Sequence, residues 1–202
     1  MSIDLAIEFL KKDSKMSELI KIYERPALKP QHDYFYSLVR SIVFQQLNGK
    51  VANIIFMRFI KLLPQNKINS RQVLMLDTNE MKKVGLSFQK INYIKNLAHF
   101  FKENSFDKNR VEKMSDESIR KVLIDIKGVG QWTIDMFLMF TLNRLDIMPY
   151  SDLAIRKGMK SLFNLNDLPT KDDMQSLSIN WRPYRTIACL YLWKIVDDGF
   201  EW

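Results

Sequence analysis

Cysteine occurs once in this 202-residue chain, at Cys189, and histidine only twice, at His32 and His99. A lone thiol cannot close an intrachain disulfide, and it leaves no multi-cysteine metal or iron–sulfur site. Adding the two histidines still gives too few ligands for a zinc centre. No apolar run approaches the ~20 residues that span a bilayer, and Met1 to Leu10 is too short and too charged for a signal peptide. The expected setting is intracellular, in cytoplasm or nucleoid, or in the nucleus of a eukaryote, with no membrane partner. Glycine and proline are sparse, six of each. No proline falls between Pro64 and Pro149, so that interval can run as helices joined by short turns. No repeat of about 20 to 50 residues is present, which removes solenoids and arrays.

What the chain has instead is apolar content and positive charge. Hydrophobic residues make up 47%, enough for a real core, and 31 Lys and Arg against 23 Asp and Glu give a net charge of +8. That excess favours a polyanionic partner without naming one. Apolar spacing of three and four predicts short helices over Ile3 to Leu10 and Met16 to Ile22, broken by Pro26 and Pro30. Asp77-Thr78-Asn79-Glu80 reads as an N-cap with a reciprocal glutamate, and Gly85 as a helix stop. Ser87 caps a helix whose apolar face is Ile91, Ile94, Leu97, Ala98 and Phe101. Lys82, Lys83, Lys90 and Lys95 could track phosphate, although such spacing also suits a solvated face.

Two stretches break this pattern. In the first, Gln45-Gln46-Leu47-Asn48-Gly49 interrupts two core-like helices with a polar centre. The second runs LIDIKGVGQWTIDMFLMFTLNRLDIMPYSDLAIRKG from Leu123 to Gly158. Its Gly128-Val129-Gly130 reads as a turn too tight for side chains, and Gln131 opens a helix whose first N–H groups lack intrahelical acceptors. A glycine turn at a helix start can hold a phosphate. Trp132 to Leu142 is apolar almost throughout, as in a buried helix. The chain then turns polar toward Asp152, which reads as the N-cap of the next helix. Pro183 suits the first turn of a last, buried helix.

The pattern LxxIKGVGxWT…DxxPxxDLxIRKG, with the upstream SxxxQQLxxKxA, resembles the helix-hairpin-helix superfamily of DNA glycosylases, and within it the 3-methyladenine, alkylated-base branch. The likeness runs roughly from Asp33 to the C-terminus. It implies an all-α, two-lobe fold with an active-site cleft between the lobes. One lobe would cover about 33–144, with the hairpin at 115–142, and the other about 1–32 plus 145–202.

The resemblance also implies roles. Asp152 would be catalytic. Gly128, Val129 and Gly130 would anchor the DNA backbone. Gln46 and Leu47 would fill the space left by an extruded base, with Asn48 facing the minor groove. Trp132 and Trp193 would sandwich the base, with Met136 in the pocket where some relatives carry an aromatic. Members that also cut the strand carry a lysine where Trp132 stands, so base release without strand cleavage is expected. The partner would be duplex DNA with damaged bases, bound by a monomer. No cofactor is implied, apart from a monovalent cation that the family hairpin holds through backbone carbonyls. Three other readings stay open: a non-catalytic DNA-binding module of the same hairpin class, a glycosylase for a different damaged base, and a purely helical interaction protein with no DNA affinity.

Overall fold

The computed structural model describes residues 3–28, residue 31 and residues 33–196. His32 therefore lies outside the described residues. The helices are α1 Ile3–Leu10, α2 Ser14–Ile22, α3 Tyr34–Phe44, α4 Gly49–Ile60, α5 Ser70–Met75, α6 Thr78–Lys83, α7 Phe88–Glu103, α8 Lys108–Val111, α9 Asp116–Ile124, α10 Gln131–Met136, α11 Leu153–Phe163, α12 Lys171–Leu177 and α13 Arg185–Val196. Among the described residues there is no β-strand. The all-α expectation is met, and local chemistry explains where most helices begin. Asp13, Asp33, Asn48, Ser87, Ser115 and Asp152 each accept an N–H from the first turn of the helix they precede, satisfying a donor that the helix cannot. Asp77 caps α6 through the N–H groups of Asn79 and Glu80. The Glu80 carboxylate, however, pairs with Lys83 at 2.6 Å instead of reaching back to the cap.

The chain forms two compact units, Gln31–Phe137 and Met1–Pro30 with Leu138–Trp202. The passage between them falls after Phe137, earlier than the expected residue 144. It lies inside a π-helical segment, Phe137–Thr141, that directly continues α10, so the expected buried helix runs unbroken to Thr141 and changes from α to π at Phe137. The Arg144 N–H donates to the Leu138 carbonyl at 2.9 Å, folding 138–144 back within the second unit.

In the 31–137 unit α3 packs on α4 and α7, and α5 packs on α7. Aromatic edges fill the space: Tyr34 meets Phe137 at 5.3 Å, Phe35 meets Phe101 at 5.2 Å and Tyr36 meets Phe56 at 5.2 Å. In the other unit α13 is the central element. Every side chain from Arg185 to Trp193 is buried, as expected for a helix that is apolar on all sides. α11 packs against it closely, because Gly158 has no side chain: a Cβ there would lie 2.6 Å from the Leu192 carbonyl oxygen. Pro183 precedes α13, after a cis Arg182–Pro183 bond, and so does not form its first turn.

Candidate functional site

The hairpin is built from α9, the turn and α10. An ion pair ties its two helices, Arg120 Nη1 to Asp135 Oδ1 at 2.6 Å, and Gln131 Nε2 donates to the same carboxylate at 3.2 Å. The two glycines of the turn have different reasons to be there. Gly128 has φ +105°, and a Cβ would sit 2.1 Å from Tyr93 Cγ, so both backbone and packing require glycine. Gly130 has φ −95°, which any residue adopts, and nothing lies within 4 Å of where a Cβ would point. The turn is therefore tight at Gly128 only. Gly130 is exposed and keeps a surface open from outside. Val129 is buried.

The turn between α3 and α4 lies in the same unit. Gln46 adopts φ +56°, an uncommon conformation for a residue with a Cβ. Gln46, Leu47 and Asn48 are all exposed. Asn48 Oδ1 caps α4, accepting from the Val51 N–H at 2.9 Å. Gln45 joins this turn to the hairpin, donating from Nε2 to the Gly128 carbonyl at 3.1 Å and to Thr133 Oγ1 at 2.9 Å. The sequence reading singled out Gln46 and missed Gln45, because two adjacent glutamines carry no mark of which one turns inward.

Of the lysines considered as phosphate contacts, three have other attachments. Lys90 Nζ donates to the Val43 and Gln45 carbonyls at 2.7 and 2.8 Å. Lys95 donates to Thr78 Oγ1 at 3.0 Å, and Lys83 pairs with Glu80. Burial lowers the pKa of Lys90 below the ordinary lysine value. Trp132 is half-buried and Met136 buried, both within this unit.

The carboxylate lies in the other unit. Asp152 is 8% exposed, and its Oδ1 accepts from the Ile155 N–H at 2.8 Å and from Trp193 Nε1 at 3.2 Å. Trp193 is 3% exposed and rests against Phe140 with ring centroids 5.7 Å apart. Its indole N–H holds the carboxylate in one orientation. The loop before Asp152 is held by the start of α13. The Thr186 hydroxyl donates to the Arg144 carbonyl at 2.6 Å and accepts from the Ile147 N–H at 3.0 Å. Arg185 donates to Asp146 Oδ1 at 2.6 Å, to Asp146 Oδ2 at 3.1 Å and to the Tyr150 hydroxyl at 3.1 Å. Burial pulls the Arg185 pKa down, but the bonds and charges of Asp146 and Tyr150 together more than offset it and leave it raised. The two nearby acids have different partners: Asp146 pairs with Arg185, and Asp152 accepts from the Ile155 N–H and the Trp193 indole N–H. Among the described residues no cluster of His, Cys, Asp and Glu could hold a metal ion, and no helix is long and apolar enough to cross a membrane.

Two helices joined by a glycine turn, with the ion pair between them, define a helix-hairpin-helix protein. Within that class the chain belongs to the HhH-GPD superfamily of base excision DNA repair proteins, whose family pattern matches residues 39–183. It is 34% identical over 187 residues to DNA-3-methyladenine glycosylase 1 of Schizosaccharomyces pombe, covering 90% of this chain and 82% of that one. It is 34% identical to an alkylbase DNA glycosidase-like protein of the same yeast, covering 91% of this chain and 88% of that one. A solved S. pombe 3-methyladenine DNA glycosylase in complex with abasic DNA superposes with a TM-score of 0.86 at 32% identity, covering 97% of this chain and 99% of that one.

Proposed function

We propose that this chain is a monofunctional DNA glycosylase that hydrolyses the N-glycosidic bond of alkylated purines, 3-methyladenine and 7-methylguanine, in duplex DNA, acting as a monomer inside the cell. The observation that carries this reading is the buried Asp152 carboxylate, oriented by the Ile155 N–H and the Trp193 indole N–H, in a chain of this family. Its relatives bear the names of alkylated-base glycosylases.

A base inside a stacked duplex is out of reach of such a carboxylate, so the nucleotide must be extruded, at a cost of a few kcal/mol. The exposed Gln46 and Leu47 suit the gap that remains, and the open backbone at Gly130 suits a phosphate. Asp152 then stabilises positive charge developing on the sugar and orients the attacking water. Alkylation at a ring nitrogen makes the purine cationic and weakens its bond to the sugar, so the leaving base needs little acid assistance. Trp132 supplies an aromatic face, worth roughly 0.5 to 2 kcal/mol for a cation. Trp132 has no amine, so it cannot form the Schiff base that strand cleavage requires. The hairpin carbonyls are hard oxygens, and one that accepts an N–H keeps a second lone pair. A monovalent cation held by them would add positive charge beside a bound phosphate.

The test is base release from a mixture of alkylated, oxidised and deaminated duplexes in equal amounts. Methylated purines should be released first, from strands that stay uncut until alkali is added. Preferential release of uracil or 8-oxoguanine would move the chain to another branch of the superfamily, and strand cleavage without alkali would overturn the monofunctional assignment.

A further inference from the structure

Within the 31–137 unit, the exposed Gln46-Leu47 turn and the glycine hairpin are far apart in sequence, yet three side chains attach them to one another and to α7. The end of α3 leaves carbonyls without intrahelical donors. Lys90, from the first turn of α7, supplies an ammonium to two carbonyls there, Val43 and Gln45, at 2.7 and 2.8 Å. A cation at a helix C-terminus is favoured by the helix dipole. Here the ammonium is drawn out of full solvation, and its pKa is lowered by that burial. Gln45 uses its amide on the Gly128 carbonyl and the Thr133 hydroxyl, which bracket the hairpin turn. Farther along α7, Asn96 Nδ2 donates to the Lys127 carbonyl at 3.1 Å. One helix therefore holds main-chain carbonyls of both elements, and Gln45 links them directly.

Resting on the glycosylase reading above, we infer that Lys90 and Gln45 are positioning residues that set the register of the Gln46-Leu47 plug against the phosphate-binding hairpin. The plug helps only if it reaches the base stack while the hairpin is seated on the backbone. A displacement of about 1 Å in such a geometry can cost on the order of 100-fold in rate. The grip acts on backbone carbonyls just behind the tip and leaves the tip side chains exposed, as a register device requires. The core face of α7 is separate from the Lys90 ammonium: Ile91, Ile94 and Leu97 are buried.

The experiment compares Lys90→Met, which keeps the stem and removes the ammonium, with wild type on two duplexes. In one, a single methylated purine is normally paired; in the other, it lies opposite an abasic-site analogue, where less pairing must be broken. Single-turnover base release from the paired duplex should fall at least about 10-fold, and from the unpaired one less than about 3-fold, with affinity for an abasic-analogue duplex little changed. Gln45→Leu, which leaves the Lys90 bonds to backbone intact, should give the same split and serves if Lys90→Met does not fold. Equal losses on both duplexes, or no loss in either variant, would overturn the inference while wild-type activity still upholds the glycosylase reading. A wild-type protein that releases no methylated purine overturns both.

Discussion

The hairpin region of the 31–137 unit and the carboxylate loop of the other unit are held in opposite ways. Around the hairpin, side-chain amides and an ammonium hold main-chain carbonyls, and Gln46, Leu47 and Gly130 stay exposed. Around the loop, an arginine and a threonine hold the chain that leads to Asp152, and the Asp152 side chain is buried. The difference matches the work proposed for each. A surface that meets a polyanion must present groups outward, whereas a carboxylate facing a developing cation acts more strongly where water is excluded.

The comparison can be broken hardest at Asp152. Asp152→Asn is expected to slow single-turnover base release at least about 100-fold, or about 2.7 kcal/mol of barrier, with the fold retained. Asp146→Asn should lose stability instead, while each folded molecule keeps near-normal rates. Unimpaired release by the Asp152 variant would remove that residue from the chemistry.

Arg185→Met comes next. It leaves the Asp146 carboxylate, whose side chain is 30% exposed, without its bidentate partner, and should cost about 2 kcal/mol in urea unfolding. In the Asp146→Asn, Arg185→Met double variant the losses should fall short of additive, since both remove one interaction. Strict additivity would mean that the pair does not hold the loop.

The two hairpin glycines should separate fold from surface. Gly128→Ala places a methyl group against Tyr93 at positive φ and is expected to cost about 1 to 2 kcal/mol by thermal unfolding. The smallest stability effect belongs to Gly130→Ala, within about 0.5 kcal/mol, yet it should weaken binding to all DNA sequences alike and flatten the salt dependence. A melting-temperature drop like that of Gly128→Ala, with binding unchanged, would show Gly130 to be structural.

Much of the fold was legible because its signals are local. A cap such as Ser87 or Asp152 bonds an N–H three residues on, so the spacing that allows the bond is written in the chain itself. The hairpin motif, the QQL turn and the lone Asp152 were visible for the same reason. Lys90 was misread because a lysine at the start of an amphipathic helix looks the same whether it faces water or a neighbouring helix end. Gly128 and Gly130 also look alike in sequence; only the presence of Tyr93 beside one and open space beside the other tells them apart. Gly158, seen as the last letter of a motif, acquires its physical reason only when the Leu192 carbonyl is found beside it.

The sequence by itself determined the helical class, most helix starts, the superfamily and the groups available for chemistry, since these depend on periodicity and on bonds closed within one turn. Tertiary structure alone decided that Gln45 rather than Gln46 reaches Gly128, that Arg185 takes Asp146, and that Trp193 turns its N–H to Asp152. Those donors and acceptors lie from 39 to 83 positions apart, and at such separations packing of the helices, not chain geometry, selects the partner.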